Sequence, residues 1–305
     1  MALTGSWKLA LEEGGKSPKT IVSYLASVKA LADFLARNRL PDDTELVGAQ
    51  AIRAFLVAEI ERTSAVSAQV HYRNLRVYFG WLAREGEREA ANPMQLVDKP
   101  SAPPKVKPFL ADDDLGKLMK ACSGTSFEDR RDTALLRILI DTGVRVSGLA
   151  GLRYHSSDYS LTDVFLSQRR LRVRLKGGRE TWVPVGAKSA AAIDRYIRAR
   201  ARIPRAADSP WLWLGTRGRG VDHMTDSGIR AMLKRRGNEA GVQGVHPHRF
   251  RHTFADNWLA QGGSVDDLMH IAGWTTYDMP LLYAKGRGIA RAHEAHQRLS
   301  PGDRI

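Results

Sequence analysis

The chain has 305 residues, of which 43% are hydrophobic and 26% charged, and this composition excludes an intrinsically disordered protein. Lysine and arginine number 47 against 33 for aspartate and glutamate, so the formal net charge of +14 favours a polyanionic partner, although charge alone also fits a merely basic protein. A single cysteine, Cys122, excludes an internal disulfide framework, and without a membrane-length apolar run or a secretory signal we expect a cytoplasmic protein with no membrane contact.

The first part of the chain, from Ser17 to about Val97, is predicted to be helical throughout. Ser17 is an N-cap residue, and Pro18 occupies the first helical position, where its missing N–H is harmless. A second helix follows the break near Pro41, and a third extends from about Ala65 to Arg84. Apolar residues recur at helical spacing in all three: Ile21, Leu25, Val28, Leu31 and Leu35; Ile52, Phe55, Leu56 and Ile60; Val70, Leu75, Phe79 and Leu82.

The polar side of the third helix carries His71, Arg73, Asn74 and Arg76. Basic and hydrogen-bonding side chains of this kind contact DNA backbones, but they are also common on solvated helices. Both interpretations remain open for this helix face.

The clearest boundary in the chain is the segment 99–108, which contains four prolines and three lysines. The prolines prevent a continuing helix and favour an extended linker, and the lysines suit a segment that crosses DNA. We therefore predict a helical domain at residues 1–98, a basic linker at 99–108 and a second domain at 109–305.

The second domain is predicted to contain helices around a small β-sheet. Between residues 161 and 185 the apolar residues change from helical spacing to alternation with basic residues, and two glycines follow Lys176. This pattern predicts a β-hairpin with one apolar and one strongly basic face, so the fold class is mainly α with a small β-sheet. Helices are predicted from Ala111, at about Asp129–Asp141, Ala187–Arg202, Asp226–Ala240, Pro247–Gln261 and Ser264–Ala272, and after Tyr283.

Four separated segments contain residues that could carry chemistry. They are Thr142–Ser147 with Arg145, the hairpin tip with Lys176, His248–Ala255 with Arg251, and Gly273–Trp274 with Tyr283 nine residues later. Taken singly, each has an ordinary explanation as a surface cation, a core or surface histidine, or a core aromatic. A metal site at His246, His248 and His252 is not favoured, because no carboxylate or cysteine lies nearby in the sequence to complete it.

In order and spacing, these segments resemble the tyrosine recombinase (phage integrase) family. Residues 142–147 are similar to its first arginine box, residues 173–185 to its catalytic-lysine hairpin, and residues 248–255 to its His-x-x-Arg-His box. Trp274 lies where most members have histidine, and Tyr283 lies at the family's distance for the nucleophile. The resemblance is strong from about Phe109 to Lys285, whereas the first domain resembles the core-binding domain in pattern only.

The resemblance implies a helical core-binding domain and a mixed α/β catalytic domain that form a clamp on DNA. Because little chain precedes Ser17, we expect a compact enzyme without an arm-binding domain, like Xer-type recombinases or minimal integrases. The expected partner is double-stranded DNA carrying a specific recombination site, bound by a homotetramer that passes through a Holliday junction; the free chain is expected to be a monomer. No cofactor or metal is implied.

The resemblance also assigns the active site. Cleaving a phosphodiester without a metal requires a nucleophile, positive charge at the non-bridging oxygens and a proton for the leaving oxygen, and guanidinium forks suit those oxygens. The implied roles are a phosphate clamp of Arg145 and Arg251, Tyr283 as nucleophile, His248 as its proton partner, Lys176 as proton donor to the 5′ oxygen, and Trp274 as a hydrogen-bond donor that packs the site.

Two departures from the family pattern leave alternatives open. The position three residues after Arg145 is usually acidic and is Gly148 here, and Thr181 replaces a common arginine. The glycine could loosen the orientation of Arg145 or His248, or another carboxylate could substitute. The alternatives to a recombinase are a type IB topoisomerase-like enzyme and a sequence-specific DNA-binding protein with a decayed active site.

Overall fold

The computed structural model describes residues 3–102, 109–174, 178–204, 206–215, 222–277, 280 and 288–304. The chain divides into two compact units, Met1–Lys105 and Val106–Ile305. The predicted basic linker falls at this division, but residues 103–108 of that prediction lie outside the described residues.

The described part of the first unit consists of helices packed around one apolar core. Ser17 caps the second helix by accepting a hydrogen bond from the backbone N–H of Thr20, as predicted, and Ser64 caps the fourth in the same way. The three predicted helices are confirmed, and most of their apolar residues are buried; Leu25 and Val70 are half-buried, and Ile60 is exposed. The elements are α1 (Thr4–Glu13), α2 (Pro18–Arg37), α3 (Ala49–Arg62), α4 (Ala65–Arg84) and a 3₁₀ turn (Pro93–Gln95).

Helix α1 was not predicted. Its buried residues are Trp7 and Leu11, which lie one helical turn apart and contribute to the core of the unit. The Trp7 ring is stacked on Tyr24 with 5.8 Å between ring centroids, and it meets Tyr78 at 4.8 Å. Packing of a single large aromatic therefore accounts for a helix whose other residues show little amphipathic pattern.

Of the four polar residues singled out on α4, only Arg73 and Arg76 lie on an exposed face. The buried Asn74 amide donates to the Ser23 carbonyl at 3.1 Å, and the half-buried His71 places Nδ1 3.0 Å from the Ser27 hydroxyl. Neither open interpretation is correct for His71 and Asn74, because both side chains join α4 to α2.

The second unit places helices around a three-stranded antiparallel sheet of order β1-β2-β3. The predicted fold class is confirmed. Of the helices described, none combines the length and apolar character needed to cross a membrane. The elements are α5 (Asp112–Ala121), α6 (Phe127–Thr142), α7 (Val146–Ala150), β1 (Val164–Phe165), β2 (Arg170–Arg174), β3 (Glu180–Pro184), α8 (Ala187–Arg200), β4 (Leu214–Gly215), β5 (Asp222–His223), α9 (Asp226–Glu239), α10 (Pro247–Ala260), α11 (Val265–Ala272) and α12 (Gly288–Leu299).

Strands β2 and β3 form the predicted hairpin. Leu171 and Val173 of β2 are buried in the core. Arg170, Arg172 and Arg174, which alternate with them, lie on the other face. The pairing runs from Arg170 opposite Pro184 to Arg174 opposite Glu180. The alternation in the sequence therefore predicted both the hairpin and its buried face; the predicted tip residue, Lys176, lies outside the described residues.

A buried carboxylate, Asp132 of α6, joins α6 to α9. It is fully buried and accepts hydrogen bonds from the guanidinium of Arg131 at 2.8 Å, of Arg235 at 2.7 Å and of Arg236 at 2.9 Å. A buried carboxylate is tolerated only where such partners replace its hydration. Arg236 is also paired with Asp129 at 2.8 Å and with Glu239 at 3.0 Å, and Arg235 lies 3.9 Å from Glu239.

We expect Asp132→Ala to lower the free energy of unfolding of the second unit by roughly 3–5 kcal/mol, because it removes the carboxylate that pairs with the buried Arg131 and one of those that pair with the buried Arg236. Urea unfolding followed by circular dichroism measures the loss. The matched control is Asp194→Ala, which breaks an exposed pair with Arg198 and should cost about 0.5 kcal/mol. Equal losses for the two variants would contradict this account of α6 and α9.

Candidate active site

The site begins where α6 ends. Gly143 terminates that helix in the left-handed conformation, with φ of 55°, and donates its N–H to the Leu139 carbonyl. A Cβ added at Gly143 would lie 2.8 Å from the Phe254 ring and 3.2 Å from the Cα of Arg251. Only glycine fits this position, for two reasons: its φ lies in the left-handed region, and the close approach of α10 leaves no space for a Cβ. This approach brings Arg251 next to the end of α6.

Arg251 is 4% exposed, and its guanidinium is held by backbone carbonyls. Its Nη1 donates to the Gly143 carbonyl at 2.8 Å and its Nη2 to the Ala272 carbonyl at the end of α11. The Trp274 ring packs against the guanidinium, with Cζ 4.7 Å from the ring centroid. The carbonyl bonds and the aromatic face together fix the plane of the guanidinium.

Arg145, which lies between α6 and α7 in the sequence, also contacts the C-terminal end of α11. It is the N-cap residue of α7, its side chain is exposed, and its Nη1 lies 3.3 Å from the Gly273 carbonyl. Arg145 and Arg251 therefore bond to carbonyl oxygens of consecutive residues, Gly273 and Ala272. These are terminal carbonyls of α11, which lack helical partners and form the negative end of its dipole, so they suit two cations.

Trp274 occupies a buried position beside this helix end. Gly273 ends α11 in the left-handed conformation, with φ of 63°, and the backbone N–H of Trp274 donates to the Met269 carbonyl at 2.9 Å. The indole is 6% exposed and packs in an apolar cluster with Phe254 and Leu268. The structure thus brings together three predicted site residues: Arg145, Arg251 and Trp274.

The histidines of α10 have different structural roles. His246 is the N-cap residue, and its Nδ1 accepts from the Arg249 N–H at 3.2 Å. His248 is exposed in the first turn, and its ring meets that of the buried His252 edge-on, with 4.4 Å between centroids. Within the described part of the chain, no group of three His, Cys, Asp or Glu side chains is arranged to hold a metal ion.

The predictions for Lys176 and Tyr283 lie outside the described residues. The described tyrosine nearest to Tyr283 in the sequence is Tyr277, which is 57% exposed. Its hydroxyl donates a hydrogen bond to the Asp266 carboxylate, and this contact raises the pKa of Tyr277 above its usual value. A phenol that holds its proton more tightly is a weaker nucleophile at neutral pH.

Gly148, where the family usually has an acidic residue, lies against the end of β2. A Cβ at this position would be 2.5 Å from Cγ1 of Val173 and 3.6 Å from the Arg174 carbonyl. The glycine therefore allows α7, which begins after Arg145, to pack closely against β2. Thr181, the second departure, is paired with Val173 in the hairpin.

We expect Gly148→Glu to impair the protein rather than to restore a missing carboxylate. The side chain would overpack against Val173 and bury a charge, which should cost at least about 2 kcal/mol of unfolding free energy. Thermal unfolding measures the loss. Ser147→Glu adds the same carboxylate at an exposed position of α7 and is expected to be near neutral; a Gly148→Glu protein as stable as this control would refute the close packing.

Comparison with known proteins decides the family. The profile described as "Phage integrase family" matches residues 108–287, more than half of the chain. The chain belongs to the phage integrase family. A second profile, "Phage integrase, N-terminal SAM-like domain", matches residues 6–86. The phage integrase match includes all of the residues predicted to form the active site.

One relative agrees with this assignment to the phage integrase family, and two solved recombinase structures share the fold. The tyrosine recombinase XerC of Oceanobacillus iheyensis is 30% identical over 296 residues, which are 95% of this chain and 92% of the relative. A XerH site-specific recombinase bound to a palindromic difH substrate, in a post-cleavage complex, has a TM-score of 0.74 at 13% identity and covers 95% of this chain and 81% of that one. A lambda integrase tetramer bound to a Holliday junction has a TM-score of 0.69 at 18% identity, with coverage of 92% and 75%.

The predicted family and enzyme class, a tyrosine recombinase, are confirmed. The sequence motifs predicted Arg145, Arg251 and Trp274 as site residues, and the structure brings these three together; the carbonyls of Ala272 and Gly273 that the arginines contact were not predicted. The signal for them was present, because a glycine directly after an apolar helix indicates a helix end with terminal carbonyls to satisfy.

Proposed function

We propose that this phage integrase family member is a site-specific DNA recombinase that cleaves and rejoins strands by transesterification through a 3′-phosphotyrosyl intermediate at Tyr283. The observation that supports the proposal is the meeting of Arg145 and Arg251 at the C-terminal end of α11. Two guanidiniums held at the same helix end before a substrate binds are suited to a phosphate whose negative charge increases in the transition state.

The proposed reaction conserves the number of phosphodiester bonds. The phenol oxygen of Tyr283 attacks the phosphorus, forming a phosphotyrosyl bond and breaking the bond to the 5′ oxygen. The phenol proton passes to His248, while Lys176 gives a proton to the departing 5′ oxygen. The 5′ hydroxyl of a partner strand then attacks the phosphorus and gives its proton to Lys176, while the bond to Tyr283 breaks and His248 returns a proton to the phenol oxygen, so neither ATP nor a metal ion is required. Trp274 packs the site and supplies an indole N–H.

The proposed partner is double-stranded DNA with a specific site, bound in the cytoplasm by a homotetramer that forms from free monomers. The net charge of +14 and the likeness of the fold to recombinases solved on DNA support this proposal. We also propose the domain organisation that the sequence predicts: residues 1–98 as a core-binding domain, 99–108 as a basic linker and 109–305 as the catalytic domain, which together clamp the duplex.

The alternatives have less support. The decayed enzyme was suggested by Gly148, and the close contact of this glycine with Val173 now gives it a packing role that leaves Arg145 and Arg251 in place. No described feature favours relaxation of a single duplex over exchange between two.

The proposal is tested by strand exchange. The protein is footprinted on DNA flanking its gene, and two duplexes of different length that carry the footprinted site are then mixed with it. We expect two recombinant lengths, and none when the site is scrambled. Relaxation of a supercoiled plasmid without exchange would indicate a topoisomerase, and salt-sensitive binding without cleavage would indicate a decayed enzyme; either result would overturn the proposal.

A further inference from the structure

A second buried carboxylate, Asp163, lies just before β1 and holds the end of β2. It is fully buried, and its Oδ1 accepts from Nε of Arg172 at 2.9 Å. Its Oδ2 accepts from Nη1 of Arg174 at 2.6 Å and from the backbone N–H of Arg153 at 2.8 Å. Such a carboxylate is stable inside the protein only while these donors stay in place, so it constrains them in return.

The two arginines connect Asp163 to the hairpin. Arg172 also donates from Nη2 to the Thr162 carbonyl at 2.9 Å, which ties the middle of β2 to the segment before β1. Nε of Arg174 lies 3.3 Å from the Glu180 carboxylate on β3. Arg174 and Glu180 are the last paired residues of the two strands. Asp163 thus holds Arg174, the last residue of β2 that the structure describes, two residues before Lys176 in the sequence.

The same strand end is anchored from its other face. Val173 packs against Gly148 of α7, with so little space that a Cβ on the glycine would lie 2.5 Å from Val173 Cγ1. Helix α7 begins directly after Arg145. The end of β2 is therefore held between the Asp163 carboxylate on one face and the helix of the phosphate-binding arginine on the other.

We infer that Asp163 is a positioning residue for strand cleavage: through Arg172 and Arg174 it sets where the end of β2 presents the segment that carries Lys176. The inference rests on the proposed function, in which Lys176 protonates the leaving 5′ oxygen. A proton donor acts only within hydrogen-bond distance of its acceptor, and a displacement of about 1 Å can cost roughly 10²-fold in rate.

The test separates positioning of the proton donor from general stability. Two versions of the footprinted duplex are compared, one with the ordinary 5′ oxygen at the cleaved bond and one with sulfur in that bridging position. When the tyrosine oxygen displaces sulfur, the thiolate leaves with the bonding electrons and needs no proton, because a thiol is far more acidic than an alcohol. A defect in proton donation therefore disappears with the sulfur substrate, whereas a defect in folding, DNA binding or phosphate clamping persists.

For Asp163→Asn we expect roughly 10²-fold slower cleavage of the oxygen substrate and near wild-type cleavage of the sulfur substrate. Lys176→Ala should show the same pattern. Arg174→Gln, which keeps the Asp163–Arg172 pair, provides a second variant should Asp163→Asn fail to fold. The matched control is Asp158→Asn, whose exposed carboxylate bonds Ser160 locally and should leave both rates unchanged.

Equal slowing on both substrates, or no slowing on either, in folded Asp163→Asn and Arg174→Gln would overturn the inference while leaving the proposed function intact. Failure of sulfur to rescue Lys176→Ala would overturn the assigned role of Lys176 and, with it, the inference. Failure of the wild-type protein to cleave either substrate would instead refute the proposed function.

Discussion

Arg251→Lys is expected to slow strand cleavage by at least roughly 10²–10³-fold, the usual effect of removing one donor from a site that stabilises transition-state charge. Arginine at this position bonds two carbonyls, of Gly143 and Ala272, while its flat face lies against Trp274. A lysine ammonium is a point charge on a flexible stem and cannot maintain these contacts while presenting a planar fork to a phosphate. Rapid-quench cleavage of a labelled duplex measures the rate.

The substitution keeps the positive charge, so DNA affinity and its salt dependence should change little. This separates a catalytic defect from weaker binding. The matched control is Arg230→Lys, an exposed position on α9, for which we expect wild-type cleavage. Cleavage by Arg251→Lys within about tenfold of the wild-type rate would show that the guanidinium is not part of the phosphate clamp.

Tyr283→Phe is expected to abolish the covalent protein–DNA adduct, because phenylalanine has no oxygen to attack the phosphorus. Tyr277→Phe is the matched control, six residues earlier in the sequence and also a tyrosine. The hydroxyl of Tyr277 donates a hydrogen bond to the Asp266 carboxylate, which raises the pKa of Tyr277. This phenol is therefore the poorer nucleophile. Denaturing gels of labelled DNA should show the adduct in wild type and Tyr277→Phe only.

An adduct that survives in Tyr283→Phe and disappears in Tyr277→Phe would transfer the nucleophile to Tyr277. Disappearance in both variants, with folding and DNA binding retained, would show that Tyr277 also has a part in cleavage. The second result would require the Asp266 contact to be broken in the DNA complex.

The elements that were predicted correctly are those whose own residues carry a recognisable pattern. Helix α4 begins and ends at the predicted residues because a serine cap and a regular apolar face lie within its own length. The β2–β3 hairpin was found from alternation, and the site arginines from short motifs in a characteristic order. Helix α1 gave little such signal, since its formation depends on the contacts of Trp7 with Tyr24 and Tyr78 elsewhere in the chain.

The features that the sequence did not predict depend on partners distant in the chain. Gly148 was interpreted as the loss of an acidic residue, but its significance is the approach of Val173, which no spacing rule indicates. Asp163 lies in a polar loop, and its burial becomes evident only when β2 brings two arginines against it. His71 and Asn74 were placed on a surface because polarity, not contact with α2, is what the sequence records.

Cleavage of DNA through Tyr283 is tested by locating the covalent bond between the protein and the DNA. Cyanogen bromide cleaves after Met269 and Met279, so it separates Tyr277, in fragment 270–279, from Tyr283, in fragment 280–305. After the adduct is trapped, its DNA is digested and the fragments are weighed by mass spectrometry. We predict a nucleotide-sized mass increase on fragment 280–305 that is absent from fragment 270–279. An increase on any other fragment, or no covalent fragment from DNA that has been cleaved, would show that Tyr283 is not the nucleophile.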